Sequence, residues 1–540
     1  MKRESMLPAR RAALLLGAAA LATACSAETA PVPGSAGPPP TQPGSGAAAS
    51  GAAGTSGGAV LPGSPGGTGM PGGGGVGPAG AAGPGGSPGL PVGGQGIAGS
   101  GGSPGLAGMG VAGTTLPGSA GFGGAPGFGG MGGLTGMGGL TAPGLGGLGP
   151  IPTTAPPQVA ACQAQATACS NGRAGRYDCK AVDLMAHMSS QELGAQANDS
   201  WGWQDPTTGK EYALVGLRNG TAFVDISNPC MPVKVGNLKT HSARGLDIWR
   251  DLKVYKDHAF IVSENNGHGM QVFDLTQLRT DSPGATFNET AHLSSFGSSH
   301  NIGLNPESGF AYPVATDNCR SVRIVDVRDP KNPKDMGCFP GNFGVHDVQC
   351  VNYRGPDPAH AGKEICLSSA ESHVAIHDVT DKMNVTRIGR GMYPGRAYTH
   401  QGWLTEDHRY FLVGDELDEG QSGGNTKTFV FDMSQLAMPR YVGVYTSSEP
   451  VTDHNLYIRE NFAFQANYKG GLRILDITGV AQANLNEIAF FDSHPGANDN
   501  SMDGAWNVYP FYRSGLVLIT GPDLWVVYPN IKGAPGAFER

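Results

Sequence analysis

Four histidines recur at similar intervals, each at the start of a short apolar run: His300, His346, His400 and His454. Arg250 takes the same place in an earlier run. Carboxylate residues follow the next apolar run in several of these segments, namely Glu264, Asp317, Glu371, Asp415 and Glu416. Imidazoles beside carboxylates are ligands that divalent metals use in proteins. Brought together, these residues would form a metal-dependent site for an anionic or polysaccharide-like ligand.

A structural role explains the same pattern. Side chains of a strand point alternately to its two faces, so recurring histidines can pack and hydrogen-bond between neighbouring repeats. A brace of this kind would repeat as regularly as a ligand site, so repetition does not separate the two interpretations. The sequence contains no nucleophile elbow, phosphate loop or dinucleotide fingerprint in a credible strand and helix context.

Residues 415–420 read Asp-Glu-Leu-Asp-Glu-Gly and form the most acidic short segment of the chain. Clustered carboxylates can bind calcium. The segment lacks the ligand spacing of an EF-hand loop, so we expect a solvated loop here.

The elements that must position these residues repeat about every 50 residues. Six apolar runs end in an aspartate, at Asp225, Asp274, Asp326, Asp378, Asp432 and Asp476, and a seventh, degenerate run ends at Tyr528. Each unit contains four short runs rich in β-branched and aromatic residues, separated by Gly, Pro, Asn or Asp. Seven such units predict an all-β fold, a seven-bladed β-propeller of four-stranded blades over residues 196–535. The first strand of each blade lines the channel of a propeller, so the four histidines are expected to converge at its rim.

Several phrases of the repeat resemble known propellers. Val-Asp-Ile-Ser-Asn-Pro at 224–229 and Ile-Val-Asp-Val-Arg-Asp-Pro at 324–330 resemble the LVIVD repeat of surface-exposed propellers. Longer phrases at 209–216, 268–275 and 399–409 resemble the choice-of-anchor B family. That resemblance implies an exported domain joined to a surface anchor, and it implies no activity.

The N-terminal part has a different composition. Residues 1–25 carry Lys2, Arg3, an apolar run and small residues before Cys25, which is the layout of an export signal. The ending at Cys25 resembles a bacterial lipobox, which implies lipidation of that cysteine; an ordinary cysteine near the cleavage site would require export equally. Residues 26–157 are dominated by Gly, Pro, Ala and Ser, and 49 of the 87 glycines lie in residues 1–150. This composition predicts a disordered tether.

The eight cysteines after Cys25 favour disulfides, because an exported chain meets an oxidising compartment. We expect Cys319 to pair with Cys338 and Cys350 with Cys366, since each pair lies in or beside adjacent predicted strands. The other four, Cys162, Cys169, Cys179 and Cys230, are expected to close a cap whose main part is residues 158–195. No pair has the Cys-x-x-Cys spacing that structural zinc sites commonly use.

The charge and the hydropathy of the chain limit the kinds of partner that it can bind. Residues 151–540 hold 32 of the 36 Lys+Arg and 42 of the 44 Asp+Glu, which disfavours nucleic acid. No apolar run reaches the roughly 20 residues that span a bilayer, so the membrane contact is expected through lipidated Cys25. The leading function is binding or adhesion to an unknown protein or polysaccharide at the bacterial cell surface, without catalysis. The alternative is a metal-dependent lyase or hydrolase of the envelope, and a divalent metal is the only cofactor that the residues indicate.

Overall fold

A computed structural model describes residues 157–242, 248–279, 283–341, 343–496 and 498–531. The predicted export signal, Cys25 and nearly all of the predicted tether lie outside these residues. Among the described residues, no helix is long and apolar enough to cross a membrane.

Short elements precede the first blade. They are α1 (Pro157–Cys162), β1 (Arg173–Ala174), β2 (Tyr177–Lys180), β3 (Val182–Met188) and α2 (Ser190–Leu193). The helix α2 begins with a capping box, in which Ser189 and Glu192 satisfy each other's backbone N–H groups.

Seven sheets follow, and each forms one blade; their strands pair antiparallel except for one short parallel pair at the edge of the first. The first contains β4 (Ala197–Gln204), β5 (Glu211–Leu217), β6 (Gly220–Asp225) and β7 (Val233–Lys239). The second contains β8 (Arg250–Tyr255), β9 (His258–Ser263), β10 (Met270–Asp274) and β12 (Ala291–Leu293), while β11 (Ala285–Phe287) joins the edge of the first, and the 3-10 helix Leu275–Arg279 follows β10. The third contains β13 (Asn301–Asn305), β14 (Phe310–Thr316), β15 (Cys319–Asp326) and β16 (Lys334–Cys338). The fourth contains β17 (Asp347–Asn352), β18 (Glu364–Ser369), β19 (Val374–Asp378) and β20 (Thr386–Gly391).

The last three blades keep the same order. The fifth contains β21 (Thr399–Leu404), β22 (Tyr410–Asp415), β23 (Lys427–Asp432) and β24 (Arg440–Thr446), with α3 (Asp418–Ser422) between β22 and β23. The sixth contains β25 (Leu456–Arg459), β26 (Phe462–Ala466), β27 (Leu472–Gly479) and β28 (Asn484–Phe491), with the 3-10 helix Val480–Gln482 before β28. The seventh contains β29 (Asn507–Tyr509), β30 (Val517–Thr520) and β31 (Leu524–Pro529). The predicted seven-bladed propeller is confirmed.

The ring closes through a strand from the N-terminal side. Strand β3 pairs antiparallel with β31 and completes the seventh blade, from Val182 opposite Pro529 to Met188 opposite Leu524. The predicted propeller boundary at residue 196 leaves this strand in the cap, whereas the structure places it inside the ring. The degenerate seventh unit of the sequence lacks a fourth strand of its own, and β3 supplies it.

The repeated aspartates have one local role. Each accepts a hydrogen bond from the backbone N–H two residues later, at 2.8 to 3.1 Å, in all six units: Asp225, Asp274, Asp326, Asp378, Asp432 and Asp476. This bond forms a tight turn that ends the third strand in five blades; in the sixth, β27 continues past it to Gly479. The spacing of about 50 residues between these aspartates in the sequence is therefore the spacing of one equivalent turn in each of these blades.

Buried apolar side chains fill the space between blades. Phe223 of the first blade stacks on Phe273 of the second with ring centroids 4.6 Å apart, and both are fully buried. Such packing stabilises the interface between neighbouring blades.

Four disulfides join the cysteines after Cys25. The predicted pairs Cys319–Cys338 and Cys350–Cys366 are confirmed. The remaining bridges are Cys162–Cys230, which ties α1 to the first blade, and Cys169–Cys179, which closes the segment before β3.

Candidate functional site

The four predicted histidines lie side by side around the channel. Ring centroids are 4.4 Å apart for His300 and His346, 4.1 Å for His346 and His400, and 4.5 Å for His400 and His454. Trp506 continues the row at 4.3 Å from His454. Each histidine comes just before or inside the first strand of its blade, so the blade repeat itself places them in a row. All four are at most 6% exposed.

Hydrogen bonds between blades hold part of this histidine row. His346 Nδ1 lies 3.0 Å from the backbone oxygen of His400, and His454 Nδ1 lies 2.5 Å from that of Trp506. A carbonyl oxygen only accepts, so in both rings Nδ1 carries the hydrogen and Nε2 keeps the lone pair. These contacts brace neighbouring blades, and they also leave Nε2 in the form that binds metals.

Glu416 lies between two of the histidines. His400 Nε2 is 3.7 Å from Glu416 Oε2, and His454 Nε2 is 3.8 Å from Glu416 Oε1. These distances are too long for hydrogen bonds. Two ligands about 2.1 Å from one tetrahedral ion lie about 3.4 Å apart, close to what is observed. His400 has no hydrogen-bond partner at either nitrogen, although it is fully buried.

Burial sets the protonation of this triad of His400, Glu416 and His454. It lowers the pKa of His400 well below its ordinary value and that of His454 to about 3. It raises the pKa of Glu416 to about 7, although a 2.6 Å hydrogen bond from the Tyr468 hydroxyl opposes the shift. Neutral imidazoles are the metal-binding form. The three residues can therefore offer two nitrogens and a carboxylate to one ion.

The other end of the row has a different chemistry. His300 Nδ1 lies 2.5 Å from Glu264 Oε1. Burial disfavours the charged form of His300, but the hydrogen bond and charge of Glu264 outweigh burial and raise its pKa. Burial and the charge of His300 hold the pKa of His346 well below its ordinary value. The row therefore contains one ion pair and a neutral segment.

Arg250 and Asp317 have other contacts. Arg250 directs its guanidinium to the first blade, where it donates to the backbone oxygen of Leu217 at 3.0 Å; it also lies 2.8 Å from His268 Nε2. Burial lowers the pKa of Arg250 to about 9. Asp317 accepts from the backbone N–H of Gly297 at 3.0 Å. These side chains position loops and strands.

Asp415 and Glu371 likewise have structural contacts. Asp415 accepts from the backbone N–H of Tyr398 at 2.6 Å and from the hydroxyl of Tyr393 at 2.7 Å. The backbone oxygen of Glu371 accepts from Thr399 N at 2.5 Å, and burial raises the pKa of its carboxyl. Of the ten predicted site residues, six therefore gather in and beside the histidine row: four histidines, Glu264 and Glu416.

The acidic segment at 415–420 is not solvated. Asp415, Glu416, Asp418 and Glu419 are all buried. The prediction of a solvated loop is wrong for these side chains: Asp415 ends the buried strand β22, Glu416 follows it, and α3 places Asp418 and Glu419 in the core.

A large cavity lies beside the histidine row. It has a volume of about 1330 Å³. Its lining begins with the residues that directly follow the histidine row in sequence and ends at the loops after the first strands of the blades. One layer comes from the residue after the row position in the first six blades, where Asn198 and Arg250 take the place of the histidine in the first two: Asp199, Asp251, Asn301, Asp347, Gln401 and Asn455. A second layer comes from the third residue after each row position: Trp201, Lys253, Gly303, Gln349, Trp403, Tyr457 and Tyr509. The sequence analysis missed both layers, although a count forward from the four histidines identifies Asn301, Asp347, Gln401 and Asn455 in the first layer and Gly303, Gln349, Trp403 and Tyr457 in the second.

Aromatic rings dominate one side of the cavity. Trp201 and Tyr509 have ring centroids 5.0 Å apart, and so do Trp403 and Tyr457. Phe511 joins both pairs, at 6.1 Å from Trp201 and 6.2 Å from Trp403. A concave site with aromatic walls and a few polar groups is the usual form of a small-ligand site.

Charged groups also line the cavity. Lys253 Nζ is 2.5 Å from Asp251 Oδ1 and 4.5 Å from the centre of the Trp201 ring. Burial raises the pKa of Asp347 to about 7 and that of Asp199 well above its ordinary value. Nine acidic and five basic side chains line the cavity, an excess of negative charge that disfavours an anionic ligand.

The comparisons with known proteins concern the repeats. Residues 209–240 and 454–490 match the model of the LVIVD repeat. No curated protein matches the chain. A crystal structure of a protein from Lactobacillus plantarum is similar with a TM-score of 0.40 and 9% identity, over 62% of this chain and 89% of that chain; similarity this low carries no argument. The four disulfides and the LVIVD repeats fit an extracellular or surface protein. The chain is thus a seven-bladed β-propeller that contains LVIVD repeats.

Proposed function

We propose that this protein is an exported, lipid-anchored surface propeller that binds a neutral or amine-bearing polysaccharide in its central cavity, without catalysis. The observation that carries the proposal is the cavity of about 1330 Å³ with Trp201, Trp403, Tyr457 and Phe511 in its wall. Trp403 is the partly exposed ring of this wall and offers apolar area to the face of a sugar ring, while Trp201, Tyr457 and Phe511 are buried in the same aromatic cluster. The carboxylates and amides of the first layer can accept and donate hydrogen bonds to hydroxyls. The acidic lining favours cationic amines over carboxylates or sulfates.

Because the cavity lining is acidic, the first experiment compares polysaccharides of different charge. Purified full-length protein with intact disulfides is mixed with insoluble polysaccharides of three kinds, neutral, amine-bearing and anionic, and depletion from solution is measured. We expect retention on the neutral polymer to persist at high salt, since stacking is insensitive to screening, and retention on the amine-bearing polymer to weaken as salt is added. Retention on the anionic polymer alone, or on none of the three, would contradict the proposal.

Anchoring is tested separately. The signal-like residues 1–25 and the lipobox-like ending support lipidation of Cys25, and the four disulfides support export. Cys25→Ala is expected to release the protein from the membrane fraction into the soluble fraction of cells. Unchanged membrane retention of the variant would exclude lipidation as the anchor.

A second candidate function rests on the triad of His400, Glu416 and His454. Three protein ligands leave one coordination position for water, which is the composition of catalytic zinc sites and would suit a lyase or hydrolase. We expect one equivalent of zinc in metal analysis of the full-length protein and its loss in His400→Ala. His346→Ala is the matched control, because His346 belongs to the same row but lies outside the triad. Equal zinc in all three proteins, or zinc in none of them, would contradict a metal site at the triad and would indicate that the histidines only stabilise the contacts between blades.

A further inference from the structure

A second cluster of acidic side chains lies next to the triad. Asp418 and Glu419 belong to α3 of the fifth blade, and Asp453 precedes the first strand of the sixth. One oxygen of each carboxylate lies within 4.8 Å of those of the other two. The three residues are at most 3% exposed.

The surrounding contacts satisfy only one oxygen of each α3 carboxylate. Lys427 Nζ donates to Asp418 Oδ2 at 2.8 Å, and the backbone N–H of Lys427 donates to Glu419 Oε1 at 3.2 Å. The second oxygens, Asp418 Oδ1 and Glu419 Oε2, are buried without a hydrogen-bond partner. Anchoring one oxygen while the other remains open is how outer contacts orient metal ligands.

Asp453 is the strongest sign of a missing partner. Both of its carboxylate oxygens are buried and have no hydrogen-bond partner. A side chain on Gly414 would collide with Asp453 Oδ2, so the fifth blade leaves room for this carboxylate. Asp415, three residues before Asp418, shows the contrast, because hydrogen bonds hold both of its oxygens. A buried carboxylate without partners must take up a proton or bind a counter-ion, because an uncompensated buried charge is costly.

We propose that Asp418, Glu419 and Asp453 form a binding site for one calcium ion that links the fifth and sixth blades. Four open oxygens and no nitrogen or sulfur make the donor set that hard cations prefer. Lys427 supplies one positive charge against three carboxylates, so a divalent ion balances the cluster. The site shares no residue with the cavity or with the triad, and the proposed polysaccharide binding does not require its calcium.

The binding site is tested with calcium alone. Full-length protein is dialysed against chelator and then titrated with calcium chloride, with bound calcium measured at equilibrium. We expect one equivalent with a Kd on the order of 10⁻⁴ to 10⁻³ M, the range of extracellular calcium sites. The melting temperature should rise with calcium concentration, because the ion binds only the folded state.

Two variants assign the ion to this cluster. Asp453→Asn should lose calcium binding and the calcium-dependent rise in melting temperature, while its melting temperature in chelator should equal or exceed that of the native protein, since a buried repulsion is removed. Asp499→Asn is the matched control, because its carboxylate pairs with Lys469 at the surface, and it should bind calcium as the native protein does.

Absence of calcium binding in the native protein would overturn the proposal whatever the variants do. So would full binding by Asp453→Asn. If Asp453→Asn does not fold, Glu419→Gln takes its place with the same expectation of lost binding. The polysaccharide assay in chelator stays a separate test of the cavity.

Discussion

The pair Asp251 and Lys253 offers a quantitative test of how the cavity is built. Lys253 Nζ lies 2.5 Å from Asp251 Oδ1, and the two side chains are only 12% and 5% exposed. Attraction to Asp251 and Asp199 raises the pKa of Lys253 although burial opposes the shift. Lys253→Met keeps most of the side-chain volume and leaves the carboxylate of Asp251 without its cation.

Breaking one partner out of a buried ion pair costs about 3 to 5 kcal/mol. The lower figure, about 3 kcal/mol, applies here because Lys253 lines a cavity that water can enter. Unfolding entropy is about 2.1 cal/mol/K per residue, so the roughly 370 described residues give about 780 cal/mol/K. The expected loss is therefore about 4 °C in melting temperature.

Thermal unfolding followed by circular dichroism measures this loss at one fixed scan rate. Lys363→Met is the matched control, because Lys363 makes an equally simple pair with Asp378 at 3.0 Å but is 42% exposed. Exposed pairs contribute about 0 to 1 kcal/mol, so that variant should shift by no more than about 1 °C. Adding Asp251→Asn to Lys253→Met should recover part of the loss. Equal shifts for Lys253→Met and Lys363→Met would refute the reasoning.

Two further predictions concern pH and the disulfides. Since the folded pKa of Asp347 is about 7, above its unfolded value, the folded state takes up a proton first and gains stability as pH falls from about 7 to about 4. Asp347→Asn should therefore be more stable than the native protein at about pH 8 and lose this advantage by about pH 4; a constant difference across this range would contradict the assignment. Replacing Cys162 and Cys230 by Ser opens a 68-residue separation and should cost about 4 kcal/mol, against about 3 kcal/mol for Cys169 and Cys179, which are 10 apart. Melting temperatures of the two double variants check this order, and the reverse order would show that packing outweighs chain entropy.

The propeller was predictable because its signal is local. The aspartate in each unit forms a turn with the backbone two residues later, so it recurs with the blade whatever the rest of the unit does. The histidine row followed from the same register, since His346 and His400 come at the start of equivalent strands. Strand β3 could not be placed this way, because its partner β31 is more than 300 residues away in the chain.

The cavity was hidden for a different reason. Its second layer shares a register but no single residue type: the third position after the row is Trp403 in one blade, Lys253 in another and Gly303 in a third. A search for recurring letters detects the row of histidines and passes over such a layer. The calcium site at Asp453 was missed because Asp453 meets Asp418 and Glu419 only where the fifth and sixth blades contact each other. The sequence alone shows only that Asp453 directly precedes His454.

Ligand affinity in the cavity is the most direct test of the central claim. Trp403 is partly exposed in the wall and lies 5.0 Å from Tyr457, so Trp403→Ala removes aromatic surface that a ligand would contact. Tyr441→Ala on the outer strand β24 is the control, because it removes a half-buried ring away from the cavity. Calorimetric titration with a soluble fragment of the retained polysaccharide should show a Kd raised on the order of 10-fold or more by Trp403→Ala and unchanged by Tyr441→Ala. An unchanged Kd in a folded Trp403→Ala protein would place the binding site outside the cavity.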